Sequence, residues 1–108
     1  MTAEQLKGHL DPLVLAILEE SPAHGYAIIE SLRERSAGVF DLPEGTIYPA
    51  LHRLERAGTL TSRREVVAGR ERRVYRLSGK GRAALRERRT DWNLFAQAVS
   101  HVLGVSPT

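Results

Sequence analysis

The sequence predicts a mainly α protein with a two-stranded β wing: a winged helix-turn-helix followed by a long C-terminal helix. Three observations predict it. Residues 42–58, LPEGTIYPALHRLERAG, carry the signals of one short amphipathic helix. After Gly58 the apolar period changes from helical towards two, over a segment crowded with arginine. Beyond Ser78, Leu85, Trp92 and Val99 stand seven apart, with Phe95 and Val102 each three residues further on from the last two, a heptad seam on a single long helix.

The elements follow in order. Residues 1–8 are polar and are expected to fray or form a short arm. The first helix is expected over 9–20, with Asp11 as N-cap and Pro12 at the first helical position. Leu10, Leu13, Val14, Ile17 and Leu18 recur at helical spacing, so this helix is largely core. Ser21-Pro22-Ala23 breaks it, and His24-Gly25-Tyr26 opens a second helix that runs to about residue 35, with Ile28, Ile29 and Leu32 on its buried side. Ser36-Ala37-Gly38 ends that helix. A third is expected over 43–57, started by a capping box of Asp41 and Glu44 and stopped by Gly58 in a left-handed turn. Residues 59–67 and 72–77 read as the two strands of a hairpin joined by Ala68-Gly69-Arg70-Glu71, with Tyr75 and Leu77 on one face. Ser78 caps the last helix, Gly79-Lys80-Gly81 is its loose first turn, and Gly104 and Pro107 stop it. Residues 1–77 are expected to form the winged helix-turn-helix domain and 78–108 a C-terminal dimerisation helix packed with it as one unit.

The third helix has two faces. Ile47, Leu51 and Leu54 share a side that must be buried, whereas Gly45, Pro49, His52, Arg53 and Arg56 project opposite, with Thr46 and Tyr48 on the flanks. Such a surface could lie in a DNA major groove; the ordinary alternative is a solvated polar face. Pro49 removes a backbone donor near the first turn, which reads either as a shaped rigid surface or as a tolerated kink. Tyr26, at the start of the second helix, either adds its hydroxyl to a phosphate held by free backbone N–H groups or pins the helix to the core. The hairpin carries Arg63, Arg64, Arg70, Arg72, Arg73 and Arg76, an arrangement suited to a phosphate backbone or minor groove; a hairpin kept soluble by charge is the alternative.

Charge supports an anionic partner. Residues 1–41 hold three bases against seven acids, a net −4, whereas residues 42–89 hold thirteen bases against five acids, a net +8. There is no cysteine, and His9, His24, His52 and His101 have no metal-ligand spacing, so no metal or other cofactor is expected. No nucleophile–base pair or phosphate-cradling glycine loop is present, which argues against an enzyme. No apolar run reaches membrane-spanning length and the polar N-terminus does not read as a signal peptide, so a cytoplasmic protein with no membrane partner is expected. A long helix at the end of a small domain has little core left to cover its seam, and a second copy of the chain would bury it.

With these motifs in place, the chain resembles the PadR family of bacterial transcriptional regulators. The likeness rests on His24-Gly25-Tyr26, on Gly45-Thr46-Ile47-Tyr48-Pro49-Ala50-Leu51, on Arg53-Leu54-Glu55 with Gly58, on Gly69-Arg70, and on Arg72-Arg73-Val74-Tyr75-Arg76-Leu77-Ser78 with Gly81 after it. It runs from about Leu10 to at least Trp92, and the single last helix is similar to the family's short subgroup. The departures are Val74, where many relatives have an aromatic residue, and the short Ala68-Gly69 wing tip. The resemblance implies a homodimeric repressor that reads an inverted-repeat operator in double-stranded DNA. Thr46, Tyr48 and Pro49 would face the DNA, with His52 and Arg53 beside them, and Tyr26 with Arg70, Arg72 and Arg73 would meet the backbone or minor groove. The interface would hold Leu85, Trp92, Phe95, Val99 and Val102. Trp92 carries two readings. It is either a dimer anchor or, by its offset from Gly81, similar to a tryptophan with which multidrug-binding members sandwich a flat aromatic small molecule. Three function classes result: a DNA-binding repressor, a dimeric small-molecule sensor governed from Trp92, and a protein-interaction adaptor, against which the arginine wing argues.

Overall fold

The computed structural model describes residue 6 and residues 8–106. Most of the expected arm, and the expected stop at Pro107, lie outside those residues. Leu6 is buried in the core, and the N–H of His9 donates to its carbonyl at 2.8 Å. This turn leads directly into helix α1 (Leu10–Glu20), whose N-cap is His9. The cap expected at Asp11 is therefore not formed: Asp11 lies in the first turn, and its carboxylate accepts from Arg53 instead.

Strand β1 (Ala23–His24) follows, then helix α2 (Gly25–Arg35) and helix α3 (Glu44–Arg56). His24 does double duty. It pairs with Val74, and its Nδ1 accepts from the Ala27 N–H at 3.2 Å, capping α2. The capping box expected at Asp41 and Glu44 is absent because the N-cap is Pro43, with φ −78° and ψ 162°. The N–H groups of Thr46 and Ile47 both bond to the Pro43 carbonyl, while Leu42 is buried just before it. Asp41 is thus two residues too early to reach the first turn. At the other end Gly58 takes φ +83°. Its N–H bonds to Glu55 and that of Thr59 to Leu54, the paired closure of a Schellman turn.

The wing comprises β2 (Leu60–Val67) and β3 (Arg70–Leu77), paired antiparallel from Leu60↔Leu77 to Val67↔Arg70. The connection is two residues, Ala68 and Gly69, rather than four. Both have positive φ (52° and 78°), as a tight turn matched to strand twist requires. The sheet has three strands, ordered β1-β3-β2, so the hairpin is anchored to the start of α2 through Ala23↔Tyr75 and His24↔Val74.

Helix α4 (Gly79–Leu103) begins at Ser78, whose Oγ accepts from the Gly81 N–H at 3.0 Å, and ends at Gly104 in the left-handed conformation. Its first turns pack against the body of the molecule: Gly81 and Leu85 are buried. Two ties bind it to the α1 region. Arg89 grips Glu19 through both terminal nitrogens at 3.0 Å, and Arg88 donates to the Gly8 carbonyl. The core joins Val14 and Ile17 of α1, Ile28 of α2, Ile47 and Leu51 of α3, and Leu60, Tyr75 and Leu77 of the sheet. From Trp92 onwards α4 leaves this core, which draws the molecule out to 51 × 28 × 21 Å.

Candidate nucleic-acid interface

Helix α3 buries Ile47, Ala50, Leu51 and Leu54, and this fixes which residues remain outside. Pro49, His52, Arg53 and Arg56 are exposed, and Thr46 and Tyr48 are half-buried. Tyr48 is more than a surface residue. Its ring lies over Gly25 at the start of α2, where a Cβ on that glycine would come within 2.6 Å of Cε1. Tyr48 thereby sets the distance between the two helices as well as part of the outward face. Arg53 is tethered by Asp11 of α1. Tyr26 is 51 % exposed, so it does not pin α2 to the core.

The wing's six arginines divide into two groups. Glu65 takes Arg63 and Arg76, and Glu71 takes Arg64 at 3.2 Å. The guanidinium of Arg76, assisted by that of Arg63, holds the Glu65 carboxyl below the ordinary carboxylate range. Arg70, Arg72 and Arg73 make no ion pair among the described residues; Arg70 and Arg73 are exposed and Arg72 is half-buried. Sequence reasoning grouped these same three with the third helix. The other three wing arginines, Arg63, Arg64 and Arg76, are paired with acids on the strands. Arg72 also bears on His24, whose pKa is lowered first by burial and then by that positive charge. The capping imidazole of α2 is therefore held neutral.

Sequence reading missed a small junction between α3 and the wing. Glu55 accepts from the Ser62 hydroxyl at 2.6 Å, and Ser62 Oγ accepts from Arg73 at 3.1 Å. The buried Tyr75 hydroxyl lies nearby, its pKa raised by burial and by the Glu55 charge. A serine in a strand gives no local signal of such a role.

The expected dimer residues fall into two sets. Trp92, Phe95, Val99 and Val102 are exposed on one side of α4. Leu85 is 1 % exposed and sits in the protomer's own core, so it has no surface left for a partner to cover. An apolar groove of about 650 Å³ lies beside the exposed set, lined among others by Leu13, Phe40, Trp92 and Phe95. Trp92 meets His9 edge-on at a centroid distance of 5.6 Å and Phe95 at 5.9 Å. Among the described residues there is no cluster of metal-ligating side chains, and no helix is long and apolar enough to cross a membrane.

A helix-turn-helix closed by a basic hairpin and followed by a long helix defines a winged-helix protein. Residues 14–87 match the model of the transcriptional regulator PadR-like family. The chain belongs to that family of transcriptional regulators and is not an enzyme. It is 40 % identical over 89 residues to Transcriptional regulator Rv3488 of Mycobacterium tuberculosis, covering 79 % of this chain and 80 % of that protein. Among solved structures, a PadR family transcriptional regulator from Eggerthella lenta superposes with TM-score 0.81 at 33 % identity, over 95 % of this chain and 88 % of that one. A PadR family regulator from Clostridium difficile gives 0.80 at 31 % identity, over 88 % and 98 %.

Proposed function

We propose that the chain is a cytoplasmic, homodimeric, sequence-specific repressor that reads an inverted-repeat operator in double-stranded DNA. Family membership supports the DNA partner. The observation that carries the reading is the sorting of charge on the wing: Arg70, Arg72 and Arg73 are left without carboxylate partners, on the module that also exposes one face of α3. Thr46, Tyr48, Pro49, His52 and Arg53 meet base edges and the flanking backbone in the major groove. Tyr26 and the three arginines meet phosphate, or the minor groove beside it. Phosphate contacts supply most of the affinity and base contacts select the site.

The second copy is favoured by the exposed side of α4. Phe95 and Trp92 remain 56 % and 53 % exposed on the single chain, beside an apolar groove that a partner helix would fill. Two copies of α3 then address successive major grooves about one DNA turn apart, or a multiple of it. A second reading draws on the same groove. Its volume falls in the range of roughly 300–1,000 Å³ usual for small-molecule sites, and an indole beside a phenyl ring suits a flat aromatic ligand. A ligand there would alter the angle between the two α4 helices, and with it the spacing of α3.

The test is fluorescence anisotropy of the protein titrated against labelled duplexes from its own upstream region, at two salt concentrations. Binding that survives unrelated competitor DNA and weakens with salt is expected. Weak, competitor-sensitive binding to every fragment would refute an operator in that region and favour the ligand reading.

A further inference from the structure

The wing arginines are held in two different ways. Arg63, Arg64 and Arg76 touch carboxylates directly, whereas Arg73 reaches one only through a hydroxyl: Arg73 donates to Ser62 Oγ at 3.1 Å, and Ser62 donates to Glu55 Oε2 at 2.6 Å. Chemistry fixes the direction of this chain. A guanidinium only donates, an ionised carboxylate only accepts, and a hydroxyl does both, so Ser62 must give its single proton to Glu55 and offer a lone pair to Arg73. Strand alternation puts Ser62, Arg64 and Arg73 on the hairpin face that also carries Tyr75 and Leu77. Glu71 on that face is taken by Arg64, and Glu55 of α3 by Ser62, which leaves Arg73 oriented but with no carboxylate in contact.

We infer that Ser62 is a positioning residue: it couples Glu55 of the recognition helix to Arg73 of the wing and presents that guanidinium to a DNA phosphate at a fixed offset from α3. This rests on the DNA-binding reading above. The design holds the side chain without neutralising it. A direct Glu55–Arg73 contact would place a carboxylate where the phosphate must come, and an untethered Arg73 would have to be ordered at the moment of binding.

The experiment compares Ser62→Ala, Ser62→Thr, Arg73→Ala and the Ser62→Ala/Arg73→Ala double variant in two assays. One is anisotropy on a labelled duplex across a salt series. The other is nuclear magnetic resonance of the arginine side-chain N–H groups in the DNA-free protein, the Arg73 signals being those lost in Arg73→Ala. Arg73→Ala should lower the salt slope by about one ion. Ser62→Ala should weaken binding about fivefold, the worth of one hydrogen bond, with the slope unchanged. Ser62→Thr, which keeps the hydroxyl, should bind within about twofold of the parent. The double variant should bind like Arg73→Ala, and slowed Arg73 side-chain rotation should disappear in Ser62→Ala. If Ser62→Ala costs as much in the Arg73→Ala background as in the parent, Ser62 serves the fold and the inference is overturned. A parent that binds no duplex refutes the DNA reading. In that event the resonance arm still decides the tether, and unchanged Arg73 signals in Ser62→Ala overturn it.

Discussion

Gly81→Ala sets two effects of opposite sign against each other. Alanine is the better helix former, and replacing a helical glycine gains up to about 1 kcal/mol. Space opposes it. A Cβ on Gly81 would stand 2.2 Å from the Thr59 carbonyl oxygen and 2.7 Å from Leu77 Cδ1, and the nearer neighbour is backbone, which no rotamer change can move. Relief requires the first turn of α4 to back away by about 1 Å, as overpacked sites do. Three bonds cross that gap: Ser78 N–H to Thr59 O at 3.1 Å, Ser78 Oγ to Gly58 O at 2.6 Å, and Lys80 Nζ to Ala57 O at 2.7 Å. At about 1 kcal/mol for the backbone bond and about half that for each of the two exposed ones, the loss is about 2 kcal/mol, and the propensity gain leaves a net cost of about 1 kcal/mol. For a chain of this size that lowers Tm by roughly 5 °C, read by circular dichroism. Gly79→Ala is the internal control, because its Cβ would meet nothing within 4 Å, and it should match or slightly exceed the parent. A Gly81→Ala protein at or above the parent's Tm would refute the close approach of α4 to the α3–wing junction.

Three further outcomes are expected. Arg72→Ala should weaken binding to all DNA sequences alike and lower the salt slope by about one, measured by anisotropy across a salt series. His24, whose folded pKa lies below its ordinary 6.5, favours folding above that pH, and its contribution is lost as pH falls through the folded value. His24→Asn keeps an N-cap acceptor without a titrating ring, so urea unfolding should show its stability falling less than the parent's between neutral and mildly acidic pH. On the proposed homodimer reading, the parent should sediment as a dimer at micromolar concentration and Phe95→Asp as a monomer, with the far-ultraviolet helix signal retained because the residue lies outside the core of the single chain.

Legibility in the sequence followed locality. Helix α3 was read within a residue at each end, because Ile47, Leu51, Leu54 and the Gly58 stop are all encoded within one short stretch. The hairpin's turn was read as four residues, where Arg70 and Glu71 already belong to β3, but from its period the hairpin was plain. Strand β1 was not, since Ala23 and His24 carry no strand signal of their own and are ordered by Val74 and Tyr75, some fifty residues away. The caps at Asp11 and Asp41 failed for a related reason: burial of Leu6 and Leu42 decides where those helices start. Gly81 read as a loose turn, and its function as a contact surface exists only against Thr59 and Leu77. On the candidate site, the residue types were visible, but which arginines lack a carboxylate partner was not: the register sets Glu65 opposite Arg72, yet its side chain takes Arg63 and Arg76.

The most direct test of the central claim is a hydroxyl-radical footprint of the parent protein on the upstream duplex that it binds most tightly. Two α3 helices in one dimer should protect two symmetry-related backbone patches whose centres lie about 34 Å apart, or a multiple of that. A single protected patch, or two whose separation is not a whole number of DNA turns, would contradict a dimer that reads DNA with paired recognition helices.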